Sequence, residues 1–338
     1  MVNDLKNLKL TLNKTINKLF LFPRICYSTF SYKLLWTTIV ITERCNSRCK
    51  TCGIWKKKNP KNMSVELFKK IINGVPKGVH INITGGEPLL HPKINEMLSL
   101  LKLQNRSFTL LSNGILADEL ISTVRNNCVK NLEISCDGPE ATYEVIRGVN
   151  NYKNIVRIIQ ELRDQVEIGV NYTVNPLNSR KDLIKVKKMC ESYGVHLAIG
   201  VYNNPEYFDT FMEKKEIYDA SGLTSYPVNK FIELYNSWIN SNLRIPCYSI
   251  RFSCFILPNG DVLVCQAKNV ILGNLNNHSL NEIWKKSKDS GIHRKFKNCN
   301  GCWMLCHRSY DVGLILTLKT LMPKIILEKI VGKLEQKI

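Results

Sequence analysis

The chain has 338 residues, of which 44% are hydrophobic, and a formal net charge of +20. This composition excludes an intrinsically disordered chain, and no stretch reaches the roughly 18 uncharged apolar residues that span a bilayer. Thirteen cysteines without the apolar core of a secretion signal argue for reduced thiols that bind metal, so we expect a cytoplasmic protein. The positive charge predicts attraction to an anionic partner.

The first predicted element is a basic amphipathic helix over residues 4–20. Its apolar residues recur at three- and four-residue spacing: Leu5, Leu8, Leu12, Ile16 and Leu19. The first predicted segment, residues 1–36, carries six Lys or Arg against one Asp. Such a segment suits an anionic membrane surface, which would make the protein peripheral on the inner face of the membrane. It suits equally well packing against one end of the fold.

Residues 37–242 alternate short apolar runs with helical patterns. The predicted strands cover Thr37 to Thr42, His80 to Thr84, Phe108 to Ser112, Asn131 to Cys136, Glu167 to Val174 and Val195 to Gly200. The predicted helices cover Ser64 to Asn73, Pro92 to Leu103, Ala117 to Asn126, Tyr152 to Asp164, Arg180 to Ser192 and Asn229 to Ser241. Repeated β–α units demand parallel strands with right-handed crossovers. Six units predict an α/β fold, a partial (β/α)6 TIM barrel, whose functional face lies at the C-terminal strand ends.

Three cysteines follow the first strand at x3 and x2 spacing: Cys45, Cys49 and Cys52. Three thiolates on one short loop can hold three irons of a 4Fe–4S cluster and leave the fourth iron open to another ligand. A structural zinc ion would need a fourth protein ligand from elsewhere. The spacing favours the cluster over zinc, and a disulfide least, because the compartment is reducing.

Further motifs follow the next three strands. They are Gly85-Gly86-Glu87, Ser112-Asn113 and Ser135-Cys136-Asp137, with Arg147-Gly148 after them. With the cysteines in this order, residues 37–200 resemble the radical S-adenosylmethionine (radical SAM) superfamily. The resemblance implies that the three cysteines hold a 4Fe–4S cluster whose open iron binds S-adenosylmethionine (SAM). It also implies reductive cleavage of SAM to methionine and a 5′-deoxyadenosyl radical.

The resemblance further implies a set of SAM contacts. Glu87 would accept a hydrogen bond from the amino group, and Arg147 would pair with the carboxylate. The complete predicted set is Gly85, Gly86, Glu87, Ser112, Asn113, Ser135, Asp137 and Arg147. The strand period of two sends Cys136 to the opposite face, where we expect a buried packing thiol. The sequence departs from the family at Thr51, where an aromatic residue is usual, and Trp55 is the candidate replacement.

Residues 243–310 change character. A predicted hairpin, Phe252 to Leu257 and Val262 to Cys265, precedes a cysteine-rich run. The predicted ligands are Cys247, Cys265, Cys299, Cys302 and Cys306. Two groups of thiolates suffice for a complete second cluster or for zinc. The region is similar to the twitch domain, a shortened SPASM domain, which implies one auxiliary 4Fe–4S cluster in a small α+β domain. Cys306 can replace Cys299 as a ligand, and Cys254 is a further candidate.

Residues 311–338 form a second basic amphipathic segment, interrupted by Pro323. We therefore expect a radical SAM enzyme that modifies an unactivated C–H position, with a membrane lipid, lipid head group or isoprenoid conjugate as the favoured substrate. One alternative is a maturase of a ribosomally made peptide, and another is a zinc-dependent nucleic-acid-binding protein. No nucleic acid is expected, because the chain has no recognisable reading motif. The expected partner is a small electron-donor protein.

Overall fold

The computed structural model describes residues 24–209, 212, 218, 219, 226–240, 243–296, 299–321, 323 and 325. The amphipathic helix predicted over residues 4–20 and the tail after residue 325 lie outside the described residues. Among the helices that are described, none has the length and apolar character needed to cross a membrane.

A nine-stranded sheet organises the described part of the chain, in the order β6-β5-β4-β3-β2-β1-β7-β8-β9. The strands are β1 (Trp36–Val40), β2 (His80–Thr84), β3 (Phe108–Ser112), β4 (Asn131–Ser135), β5 (Glu167–Val174), β6 (His196–Val201), β7 (Ser253–Ile256), β8 (Asp261–Cys265) and β9 (Lys268–Asn274). Each of β1 to β5 pairs in parallel with the strand that follows it in sequence. The six predicted β–α units and the α/β class are therefore confirmed.

Helices connect these strands and follow them. They are α1 (24–31), α2 (Val65–Gly74), α3 (Ile94–Leu103), α4 (Ala117–Asn126), α5 (Glu140–Arg147), α6 (Tyr152–Leu162), α7 (Arg180–Tyr193), α8 (Tyr226–Ile239), α9 (Leu280–Asp289), α10 (Ile292–Lys295) and α11 (Leu305–Leu321). Helix α7 begins with a capping box, in which the Ser179 hydroxyl and the Asp182 carboxylate each accept from the other's backbone N–H. A cap of this kind contributes about 1 kcal/mol.

One face of the sheet forms the core against the connecting helices. Ile39, Ile83, Leu110, Ile134 and Val170 are completely buried on this face. The helices present matching apolar stripes; α6, for example, buries residues at i, i+3, i+4 and i+7, namely Ile155, Ile158, Ile159 and Leu162. Burial of one such side chain contributes roughly 1.5–3 kcal/mol.

Helix α11 approaches the opposite, inner face of the sheet. The Tyr310 ring stacks on Trp36 at the start of β1, with 4.1 Å between ring centroids. A Cβ on Gly200 of β6 would lie 3.5 Å from Leu305, so the beginning of α11 packs closely on that strand. The C-terminal helix thereby covers part of the face that the other helices leave open.

The C-terminal hairpin does not form a separate sheet. Strands β7 and β8 pair antiparallel as predicted, but β7 also pairs in parallel with β1 and so extends the sheet of the barrel. Strand β9 and helix α5 were not predicted, because both carry polar residues within their apolar pattern. The predicted domain boundaries at residues 36, 242 and 310 stay predictions.

Candidate active site

The loop that carries Cys45, Cys49 and Cys52 begins at the C-terminal end of β1 and is held from three sides. On the first side, the N–H of Gly86 donates to the Thr42 carbonyl and the N–H of Glu87 donates to the Arg44 carbonyl, both at 2.7 Å. A Cβ on Gly86 would lie 2.2 Å from the Arg44 oxygen, and one on Gly85 would lie 2.6 Å from the Thr42 oxygen. In this structure the glycines are required by contact with the cysteine loop itself.

The second side is the C-terminal end of α5. The N–H of Arg48 donates to the Arg147 carbonyl at 3.0 Å, and the N–H of Lys50 donates to the Ile146 carbonyl at 2.8 Å. Gly148 ends this helix with φ +66°, and a Cβ there would lie 2.7 Å from the Arg48 oxygen. The left-handed conformation and the close approach each require glycine at this position.

The third side is the short turn Glu206–Phe208. The N–H of Gly53 donates to the Phe208 carbonyl at 2.7 Å, and a Cβ on Gly53 would lie 2.3 Å from the Asp209 oxygen. Within the loop, Trp55 Nε1 donates to the Cys49 carbonyl at 3.1 Å. Backbone contacts therefore fix the loop without using the cysteine side chains.

Polar groups lie close to two of the three sulfur atoms. The Ser47 hydroxyl lies 3.0 Å from the Cys49 sulfur, and Arg147 Nη1 lies 3.7 Å from the same atom. Asn113 Nδ2 lies 3.9 Å from the Cys45 sulfur. Burial raises the pKa of Cys45 to about 11 and that of Cys52 to about 12. Buried thiols such as these lose their protons when a positively charged metal binds them. The irons of an iron–sulfur cluster supply that positive charge.

Glu87 is buried, and both of its carboxylate oxygens accept hydrogen bonds from the chain. Oε1 accepts from the Ser112 hydroxyl at 2.9 Å and from the N–H of Leu89 at 3.3 Å, and Oε2 accepts from the N–H of Asn113 at 2.8 Å. Burial raises the pKa of Glu87 to about 7, although these donors act in the opposite direction. Glu87 thus joins the ends of β2 and β3, and its predicted contact with SAM stays a prediction.

Arg147 and Asp137 form a buried ion pair at 2.7 Å. Asp137 also accepts from the N–H of Thr173 at 2.8 Å, which ties the end of β4 to β5. Burial alone would lower the pKa of Arg147, but the charge of Asp137 and then that of Cys49 raise it. The arginine is therefore a fixed cation beside the cysteine loop, and its predicted pairing with the SAM carboxylate stays a prediction.

The structure brings most of the predicted residues to one mouth of the sheet. Ser135, at the end of β4, is partly exposed, whereas Cys136 is fully buried and its thiol donates to the Gly138 carbonyl at 3.3 Å. The expected packing role of Cys136 agrees with this placement. The predicted SAM contacts otherwise stay predictions.

Sequence reasoning missed Ser47 and a polar cluster below the loop. Glu43 is 8% exposed and accepts from the Tyr207 hydroxyl at 3.0 Å and from the backbone N–H of Lys61 at 3.0 Å, and it pairs with Lys57. Burial by itself would raise the pKa of Glu43. The hydrogen bond from Lys57 and the other donors together outweigh burial, so the net effect is a lowered pKa. The cluster attaches the turn at Glu206–Phe208 to the base of the loop. No sequence spacing signals it, because Glu43 and Tyr207 lie far apart in the chain.

A second group of cysteines lines a cavity of about 100 Å³ in the C-terminal region. The four thiols on its wall are Cys247, Cys265, Cys299 and Cys302. Cys306 is not on this wall; its sulfur accepts from Gln266 Nε2 at 2.8 Å. Cys254 is buried elsewhere, with its sulfur 3.3 Å from the Thr37 hydroxyl. The cavity therefore favours the first four cysteines as the auxiliary ligand set.

Arg308 holds the loop that carries Cys299 and Cys302. Its side chain is completely buried and donates to the carbonyls of Cys302 at 3.0 Å and Cys299 at 3.3 Å, and it pairs with Asp311 at 3.3 Å. Within the described residues, no three Cys, His, Asp or Glu side chains converge on the position of a single metal ion. Four thiols on the wall of one cavity would suit the thiolate ligands of an auxiliary iron–sulfur cluster.

The family comparisons agree with both cysteine sites. Residues 39–190 match the model of the radical SAM superfamily, and residues 247–303 match the model of an iron–sulfur cluster-binding domain, SPASM. The fold and the two sites define an iron–sulfur protein with one cysteine loop at the mouth of a partial barrel. Residues 39–190 are thus a radical SAM domain, followed by a SPASM-type domain over residues 247–303. Together these domains imply a SAM-binding 4Fe–4S cluster, SAM and an auxiliary iron–sulfur cluster, and they leave the zinc-dependent nucleic-acid-binding hypothesis without support.

Several known proteins are similar over much of the chain. The GTP 3′,8-cyclase of Aliarcobacter butzleri is 25% identical over 216 residues, which are 60% of this chain and 64% of the cyclase. The mycofactocin maturase MftC of Mycobacterium tuberculosis is 24% identical over 297 residues, 80% of this chain and 75% of the maturase. The chain spans 64% of the length of the Aliarcobacter butzleri cyclase and 46% of that of the GTP 3′,8-cyclase of Alkaliphilus oremlandii.

A solved structure shares the fold. The crystal structure of SuiB from Streptococcus suis bound to precursor peptide SuiA has a TM-score of 0.64 and 16% sequence identity. The match covers 84% of this chain and 74% of SuiB. At this level of identity the likeness establishes the partial-barrel fold with its C-terminal extension.

Proposed function

We propose that this protein is an enzyme that cleaves SAM reductively and uses the product radical to modify an unactivated C–H position of a peptide. The observation that carries the proposal is the cysteine loop, held from three sides at the C-terminal mouth of the sheet, with glycines where a Cβ would collide with it. When bound, the cluster and SAM supply an electron and a 5′-deoxyadenosyl radical. The residues of the chain must hold and position these groups.

Three tasks are assigned to these residues. Cys45, Cys49 and Cys52 would hold the cluster, and Arg147 keeps a positive charge 3.7 Å from the Cys49 sulfur. Glu87 keeps the ends of β2 and β3 in register behind the loop. Preorganised charges and donors of this kind lose little energy to rearrangement when charge changes nearby. The predicted SAM contacts at the strand ends complete the proposal.

The peptide substrate is supported by the relatives. The similarity to the mycofactocin maturase covers 80% of this chain, well beyond the part that matches the radical SAM model. SuiB, which has the same fold, was solved with its precursor peptide bound, so this architecture accommodates a peptide. We also propose a small electron-donor protein as the partner that reduces the cluster.

A second candidate substrate is a membrane lipid, a lipid head group or an isoprenoid conjugate. One observation favours it: helix α1 exposes Tyr27 by 57% and Phe30 by 69%, directly after the basic segment 1–23. Aromatic residues beside basic ones suit a membrane interface. The protein would then be peripheral on the inner face of the membrane.

The core proposal is tested with protein purified and reconstituted without oxygen. We expect about seven to eight irons per chain, as two clusters require, and release of 5′-deoxyadenosine and methionine after addition of SAM and a reductant. Cys49→Ala is expected to abolish this release. Cys128→Ala, which removes an exposed thiol away from both sites, serves as the control and should leave it unchanged. Protein that holds iron but releases no 5′-deoxyadenosine would contradict the proposal.

The substrate class is tested separately by mass spectrometry of the products. Precursor peptides encoded beside the gene and extracted membrane lipids are each incubated with the reduced enzyme and SAM. We expect a mass change in a peptide. A change confined to a lipid, together with liposome binding that is lost when residues 1–20 are deleted, would favour the second candidate instead.

A further inference from the structure

The inner face of the parallel strands is polar and partly open, which is unusual for such strands. Parallel sheets are commonly buried on both faces and read as continuous apolar runs. Here β2, β4 and β5 alternate between buried apolar residues on the helix side and partly exposed residues on the inner side. The partly exposed inner residues include Asn82, Glu133, Ser135, Asn171 and Thr173. The chain therefore keeps a polar surface inside the sheet.

Glu133 is the acidic side chain in the middle of this inner surface. Its Oε2 accepts one hydrogen bond, from Asn171 Nδ2 at 2.8 Å. Although the chain carries 48 Lys and Arg, Glu133 forms no ion pair with any described residue. A carboxylate that is partly removed from water without a cation costs free energy, and a cationic ligand would offset that cost.

Glu133 lies on the inner face of β4, within electrostatic reach of α11. Toward the mouth of the sheet, Ser135 stands two residues further along the same face of β4. On the side of α11, the negative charge of Glu133 acts on both the Cys306 thiol and the Tyr310 hydroxyl. Cys306 in turn accepts from Gln266, the residue after the cavity-lining Cys265. Glu133 is therefore on the same inner surface as the mouth of the sheet and close to the beginning of α11.

The neighbouring strand leaves room beside this carboxylate. Gly169 of β5 pairs in register with Glu133, and a Cβ there would lie 3.4 Å from the Glu133 Cγ. On β6 the inner position in register with Gly169 is His196, and the next two inner positions are the small residues Ala198 and Gly200. A larger residue in place of Gly169 would contact the Glu133 side chain.

We propose that Glu133 binds a cationic side chain of the substrate peptide, a lysine or an arginine, and that Asn171 positions the carboxylate for it. The inference rests on the proposed function and adds the chemistry that the substrate must present. Glu133 sets which residue of the peptide enters, and the reacting position is then fixed by its distance from that cation.

The test measures binding directly, with enzyme that contains both clusters and SAM. Two fluorescent pools of eight-residue peptides are compared by anisotropy; they are identical except that the central residue is lysine in one and norleucine in the other. Wild-type enzyme is expected to bind the lysine pool about tenfold more tightly, as one charged hydrogen-bonded contact predicts. Glu133→Gln should remove this preference while leaving norleucine binding unchanged.

Two further variants separate the contact from general effects. Glu133→Asp keeps the charge and should retain part of the preference, which also covers the case in which Glu133→Gln folds poorly. Glu167→Gln, at the exposed start of β5, should retain all of it. Equal affinity for the two pools in wild-type enzyme, no binding of either pool, or an unchanged preference in Glu133→Gln overturns the inference. Binding of phosphatidylethanolamine vesicles that depends on Glu133, without peptide binding, also overturns it.

Failure of this inference can be told apart from failure of the proposed function. Release of 5′-deoxyadenosine without peptide, measured in wild-type enzyme, reports the proposed function, and Glu167→Gln is expected to leave it at the wild-type level. If that release is absent in the wild type, the proposed function fails. If release is present but the lysine preference is absent, only the assignment of Glu133 fails.

Discussion

Ser47 and Arg147 set the surroundings of the Cys49 sulfur. The Ser47 hydroxyl lies 3.0 Å from that sulfur and donates to the Arg147 carbonyl at 3.0 Å, so it connects the thiol to the end of α5. Once Cys49 is a thiolate, the Ser47 hydroxyl can turn its one proton from the Arg147 carbonyl to the sulfur, which then accepts the hydrogen bond. Hydrogen bonds to cluster sulfurs are among the factors that set the reduction potential of an iron–sulfur cluster.

We expect Ser47→Ala to lower the reduction potential of the first cluster and to cost about 1 kcal/mol of unfolding free energy through the lost hydrogen bond. The potential is measured by a redox titration followed by electron paramagnetic resonance, and stability by urea unfolding without oxygen. Ser192→Ala is the matched control, because its exposed hydroxyl donates only to the Met189 carbonyl in its own helix. A potential equal to that of the wild type would show that Ser47 does not act on the cluster.

At the scale of elements, the C-terminal end of α5 packs against the cysteine loop and supports it. Two backbone hydrogen bonds join this end to Arg48 and Lys50, and Gly148 provides the close approach. The ends of β2 and β3 support the loop from the other side through Glu87. The elements thus position the thiols through backbone contacts, which leaves the side chains free to bind a cluster.

Gly148→Ala is predicted to disturb this contact between the end of α5 and the cysteine loop. A Cβ at φ +66° costs roughly 1–2 kcal/mol, and its contact with Arg48 adds to that cost and displaces the loop. Gly194→Ala is a matched control, because Gly194 ends α7 at φ +67° and has no atom within 4 Å of the added Cβ. We expect both variants to lose stability in urea unfolding, and Gly148→Ala alone to lose iron from the first site. Equal iron content in the two variants would contradict the prediction that the end of α5 supports the cysteine loop.

At the scale of the whole molecule, N-terminal and C-terminal segments meet around His293. Its ring contacts the rings of Tyr32 and Trp284 edge-on, each at 5.3 Å between centroids, and Trp284 Nε1 donates to the Tyr32 carbonyl at 2.6 Å. Burial lowers the pKa of His293 from 6.5 to about 4. The chain after α1 is therefore fastened to α9 and α10 by a histidine that is kept neutral.

The buried, neutral His293 predicts that the stability of the protein depends on pH. Between pH 6.5 and about 4 the unfolded chain takes up a proton at His293 that the folded chain does not, so the unfolding free energy falls as the pH falls through this window. In His293→Gln the fall should be smaller. His278→Gln, at an exposed position before α9, should keep the wild-type slope. Urea unfolding at several pH values measures the slopes, and identical slopes for wild type and His293→Gln would refute the prediction.

Much of the fold followed from local patterns. Strands β2, β3 and β5 and helix α4 have the predicted ends, because period-two and period-3.6 patterns are written in consecutive residues. The x3 and x2 cysteine spacing and the motifs at the strand ends led to the radical SAM family for the same reason. The short helix α5 escaped prediction, although it supports the cysteine loop.

The sequence by itself determined the α/β class, the six parallel units and both groups of cysteines, since each depends on residues close together in the chain. Only the tertiary structure decided that β7 joins β1, that Cys306 lies off the auxiliary cavity, and that Glu133 faces Asn171 with no ion pair to another described residue. These facts depend on contacts between residues that are distant in sequence. Strand pairing and side-chain burial arise from packing of the whole chain, and no local spacing encodes them.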